Sequence, residues 1–148
     1  MRKVGDKMNT TVDDIKDKFY SLIITGEVLP ESLVNVWLDT AIGEYNLELG
    51  TDLKVIYTTI PSAEIDIIIA EVNDNLSSSQ KSLLGRYMQR EFITRELSRY
   101  SKVTGIDSKD EKVSGLQATK ITLRAELTLA ETAIAELVSK IKEIDYGK

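Results

Sequence analysis

The sequence predicts a mainly α fold: a four-helix bundle-like domain with a long C-terminal helical hairpin and one small β-hairpin. Three observations carry this expectation. Apolar residues recur at helical spacing through four separate stretches. The stretch 53–72, "LKVIYTTIPSAEIDIIIAEV", is instead dense in Ile, Val, Tyr and Thr around Pro61-Ser62. The last thirty residues keep a sustained heptad. At 148 residues the chain has the size of one domain. Such a chain buries roughly 68–70% of its unfolded surface and needs no covalent staples.

Residues 1–10 read as a flexible N-terminus, and residues 11–50 as two helices. Thr11 is placed to cap the first, with Asp13 and Asp14 at the positive end of its dipole. Val12, Ile15, Phe19 and Leu22 share one face, and Gly26 is the expected stop. Pro30 suits the first turn of the second helix, where its missing N–H is harmless. Leu33, Val34, Trp37, Leu38, Ala41, Ile42 and Tyr45 make a wide core-facing stripe. Trp37 reads as a core anchor rather than a binding residue. Gly50 is the expected C-terminal stop.

Strands are expected near 54–60 and 65–71, although periodicity alone leaves a short helix open in the second half. A lone hairpin is marginal in water and must pack on helices or pair with another chain. An exposed outer edge can accept a partner's strand. Ser77 and Gln80 form a capping-box pattern that opens a helix over 77–102. Leu76, Leu83, Leu84 and Tyr87 face one way, whereas Ile93, Leu97 and Tyr100 lie about 100° away. A helix apolar on several sides is surrounded, so this is the expected central helix, bent near Gly85. A polar loop over 103–115 is expected next, then a helix over 116–145. In that helix Leu123, Leu127, Ala130, Ile134, Leu137, Ile141 and Ile144 follow a 4-3 rhythm, one heptad after Leu116. An intramolecular hairpin with the preceding helix is preferred over a dimeric coiled coil.

Composition narrows the chemistry. The chain has no Cys and no His, which removes disulfides, thiolates, the commonest general base and the commonest transition-metal ligand. No phosphate-binding Gly-rich loop is present. The acidic run "DSKDE" at 107–111 lacks the ligand spacing of a calcium loop. No catalytic residue, metal or cofactor is expected, and the chain reads as a non-enzyme. An enzyme working through carboxylates alone stays as a minor alternative. The N-terminus has no apolar run of a signal peptide and no stretch approaches a membrane span, so a soluble protein made in a cytoplasm is expected.

The net charge of −5 is uneven. Residues 13–74 hold thirteen acids and three lysines, giving −10, and residues 75–103 hold six bases and two acids, giving +4. Either this is a solvated surface, or the two regions meet in neighbouring copies or on a charged partner. Arg86 and Arg90 lie 40° apart on the central helix, and so do Arg95 and Arg99, about 180° from the first pair. Two patches do not make a DNA-reading stripe. They leave weak phosphate contact by Arg86, Arg90, Arg95 and Arg99 from many copies in a ring.

The layout resembles the small helical head–tail connector (adaptor) proteins of tailed bacteriophages. A short helix precedes "LPESLVNVWLDTAIGEYNLELG". A small β segment and "LSSSQKSLLGRYMQREFITRELSRYSK" follow, and "KVSGLQATKITLRAEL" leads into the closing helix. The likeness spans roughly residues 11–146 and rests on element order, without a signature motif. It implies a homo-oligomeric ring, a dodecamer when assembled beneath the portal protein, with a downstream neck or tail protein on its other side. DNA would pass non-specifically through the channel, with no membrane partner. Localisation would be the virion, at the head–tail interface, after assembly in the host cytoplasm. Some such proteins stay monomeric until the portal templates them. The alternative is a helical adaptor or assembly chaperone that is absent from the finished particle. In the ring, residues 101–115 are expected to be a docking arm. Lys102, Lys109 and Lys112 would face a neighbour's acidic half, Asp110 would lie at the same interface, and Ile106 would be its apolar anchor.

Overall fold

The computed structural model describes the backbone of residues 8–25, 27–106 and 111–146, and the side chains of 8–25, 27–100 and 119–144. The expected flexibility of residues 1–10 falls largely outside them. Helix α1 (Val12–Leu22) starts as predicted, with Thr11 Oγ1 accepting the Asp14 N–H at 3.2 Å. Val12, Ile15 and Phe19 are buried. The helix stops at Leu22, short of Gly26, and Ile23 is already extended. The β-branched run Ile23-Ile24-Thr25 favours that extended backbone, so no glycine is needed to end the helix.

Helix α2 (Glu31–Leu49) follows Pro30, which stands at the cap rather than inside the first turn. Its carbonyl accepts the N–H groups of Leu33 and Val34. Gly50 closes α2 in the left-handed conformation, φ 65°, and donates to the Asn46 carbonyl. Val34, Trp37, Leu38, Ala41, Ile42 and Tyr45 of the predicted stripe are buried, and Leu33 packs against their edge.

Strands β1 (Val55–Ile60) and β2 (Ile67–Val72) form the antiparallel hairpin, in a register running from Val55↔Val72 to Ile60↔Ile67. The second half is strand, not helix. Its root is tied down by groups far apart in sequence. Val72 N–H donates to the Thr10 carbonyl at 2.9 Å, Thr10 N–H donates to the Asp74 carbonyl, and Thr11 bridges Glu71. Thr10 Oγ1 accepts the buried Leu76 N–H at 2.8 Å. Two asparagines act as surrogate backbone. Asn46 both donates to and accepts from the Leu53 main chain, and Asn73 does the same across Asp52 and Lys54.

Helix α3 (Ser78–Ile106) opens on the predicted capping box: Gln80 N–H donates to Ser77 Oγ, and Ser77 N–H to Gln80 Oε1. It is the central helix, packed by α1, α2 and helix α4 (Glu111–Tyr146). Leu83, Leu84, Tyr87, Met88 and Ile93 are all buried. Gly85 serves close approach: a Cβ there would stand 3.1 Å from Lys18 Cβ and 3.2 Å from the Phe19 amide nitrogen. One aromatic cluster joins three helices, with Phe19, Trp37 and Phe92 edge to face at centroid distances of 5.8–6.4 Å.

On α4, Ala130, Ile134 and Ile141 are buried, while Leu123, Leu127 and Leu137 pack at the seam's margin. This matches an intramolecular helical hairpin with α3. Ile144 leaves the seam and is exposed, and Leu116 lies outside the described side chains. The expected loop over 103–115 is corrected. Helix α3 runs on to Ile106 and α4 begins at Glu111, so Gly105 and Gly115 stand inside helices. A glycine costs a helix only about 1 kcal/mol. Two long helices held together by their seam absorb that cost.

Candidate interaction site

The hairpin leaves the helical body as a projecting finger. Val72 at its root is fully buried and Val55 is half-buried, but every residue from 57 to 68 is exposed. Side chains alternate across the sheet. Tyr57, Thr59, Ile68 and Ala70 share one face by register, and Thr58, Ile60, Ile67 and Ile69 share the other. With two strands and no covering layer toward the tip, both faces meet water. Tyr57 is 73% exposed, Ile65 75%, Ile68 66% and Ile67 51%. Scattered exposed apolar residues are ordinary, whereas a contiguous apolar group on a projecting element marks an interaction surface. Between Val55 and Val72 the charges are all acidic: Glu64 and Asp66 flank Ile65, and Glu71 sits at the root near Thr58 Oγ1.

The four arginines occupy two patches, and three of them are ion-paired within the chain. Arg90 pairs with Glu44 at 3.4 Å and lies 5.2 Å from the Tyr87 ring centroid. Arg95 and Arg99 close on Glu27 at 3.7 and 3.1 Å, and both also reach Glu96. The Glu27 hydrogen bond, then the charge of Glu96, raises the Arg99 pKa above its ordinary value. Arg86 donates to Gln89 Oε1, and Gln89 in turn holds the Leu22 carbonyl at α1's end. Phosphate contact by Arg90, Arg95 or Arg99 would therefore compete with carboxylates already in place. The uneven charge has a partly internal explanation: Glu27 and Glu44 of the acidic region meet bases of the basic region in the same molecule.

Of the expected docking arm, Lys102 and Ile106 belong to the last turns of α3 and Lys112 to the first turn of α4. Their side chains, and all of Lys109 and Asp110, lie outside the described residues. Sequence reasoning missed the clamp residues Thr10, Asn46 and Asn73. Their only local signal is residue type, because each makes its decisive bond to backbone elsewhere in the chain. Among the described residues no group of three or more carboxylates is placed to hold a metal, and no helix is long and apolar enough to cross a membrane. No protein-family model, curated protein or solved structure matches the chain.

Proposed function

We propose that this protein is a structural assembly adaptor, a head–tail connector of a tailed phage that forms a ring beneath the portal. The observation that carries the assembly reading is the hairpin. A clamped root and a self-contained helical core leave twelve consecutive residues, 57–68, exposed. Exposed Tyr57, Ile65 and Ile68 contribute little to the monomer and are suited to a partner. The phage setting rests on the element order described above. In this reading the end of the α3–α4 hairpin, with Lys102, Ile106, Lys109, Asp110 and Lys112, carries a second contact.

Composition of purified particles tests the setting. Tailed particles from the host that encodes this chain are banded on a gradient and quantified by mass spectrometry. A ring component is retained at fixed stoichiometry to the portal protein. Presence in assembly intermediates with loss from finished particles would instead identify an assembly chaperone.

A further inference from the structure

We infer that the acidic hairpin tip of one copy docks into a basic groove on the next copy. The groove lies between α1, α3 and α4. Its floor is apolar, made by Leu22, Ala133 and Leu137, and Lys18, Arg86 and Lys140 stand around it. Glu136 is the one acid in its lining. Among the described residues none of these three cations is within ion-pair distance of a carboxylate, whereas Arg90, Arg95 and Arg99 all are. The tip offers the matching chemistry: exposed Ile65 between Glu64 and Asp66, with no base between Val55 and Val72. An apolar knob flanked by acids fits an apolar floor rimmed by bases.

The geometry makes this a contact between copies. Val12, Asp13 and Lys16 of α1 line the cleft beside the hairpin. Lys18, Ser21 and Leu22 line the basic groove. At 100° per residue these two sets lie on nearly opposite sides of α1. The clamped hairpin of one molecule therefore points away from that molecule's own groove. A contact between two different patches is heterologous and propagates, closing into a ring when the rotation permits. A fingertip buries far less than the ~1,200 Å² of a standard stable interface. Each contact is thus weak, and its strength comes from repetition around the ring. This deepens the self-assembly part of the proposed function and rests on it, but it does not depend on the phage setting.

The chain's lack of cysteine gives a clean test. One full-length copy carries Ile65→Cys and a second carries Ser21→Cys at the groove. A control carries Thr128→Cys, an exposed position on α4 turned away from the groove. After mixing and mild oxidation, the tip–groove heterodimer should exceed the tip–control one at least tenfold. Adding Lys18→Glu and Lys140→Glu to the groove copy should abolish it, and adding Glu64→Lys and Asp66→Lys to the tip copy should restore it. Equal cross-linking at groove and control overturns the proposal. If sedimentation shows oligomers that the charge reversals leave intact, self-assembly stands and this contact falls. If the chain is monomeric and uncross-linked, both fall, and particle composition still decides the phage setting.

Discussion

Replacing Tyr87 with Phe should stabilise the protein, although it removes a polar group from the middle of the bundle. Tyr87 is only 2% exposed, and its hydroxyl has no hydrogen-bond partner among the described residues. A buried polar group left without a partner costs about 1–3 kcal/mol. Losing one oxygen opens little space and costs a few tenths of a kcal/mol by cavity scaling. The net expectation is a gain of about 1 kcal/mol at neutral pH. Urea unfolding followed by the fluorescence of Trp37, the single and buried tryptophan, should show a midpoint about 0.5 M higher. The same residue sets an alkaline limit. Burial pushes the Tyr87 phenol up to about 12 from the ordinary 10.0; Glu48 and Glu44 add to the shift, and Arg90 opposes it. The folded chain holds this proton more tightly than the unfolded one. The associated stability is therefore complete below pH 10 and is lost as pH rises through about 12. Across that window the native protein should fall behind Tyr87→Phe by up to about 3 kcal/mol more. A variant that is less stable at pH 7, or that tracks the native protein in parallel from pH 9 to 12, would refute the reasoning and mean that the hydroxyl is satisfied.

Three further outcomes follow from the packing. Thr10→Val orphans the buried Leu76 N–H and should cost about 1–3 kcal/mol in the same urea assay. Gly85→Val places a branched side chain against the α1 backbone and should cost about 1–3 kcal/mol or more, despite the better helix propensity of valine. Glu27→Gln loosens Arg95 and Arg99, but these pairs are solvent-exposed and screened, so a double-mutant cycle with Arg99→Gln should show almost no coupling in the same urea assay.

These positions also show what the sequence could and could not reveal. The Thr11 cap, the Ser77–Gln80 box, the Gly50 stop and the α4 heptad were legible because each is local, with both partners within one or two helical turns. The Thr10–Val72 bond, the asparagine clamps and the Glu27–Arg99 pair span from a handful to about seventy residues, so no periodicity announces them. The 103–115 segment misled for another reason. Polar residues with two glycines resemble a loop, yet helical propensity tolerates them once two long helices pack together. The hairpin was visible as β-rich sequence. That its tip projects bare on both faces was not, because period-2 alternation is the same whether a strand is covered or free.

In the proposed function the hairpin tip serves association and not the fold. Sedimentation velocity across a concentration series, comparing the native chain with the triple variant Ile65→Ser, Ile67→Ser and Ile68→Ser, tests it most directly. All three isoleucines are at least half exposed, so at about 0.5 kcal/mol each the variant should unfold within about 1.5 kcal/mol of the native chain. The native chain should associate with rising concentration, and the variant should stay monomeric. Identical sedimentation of the two proteins would contradict this.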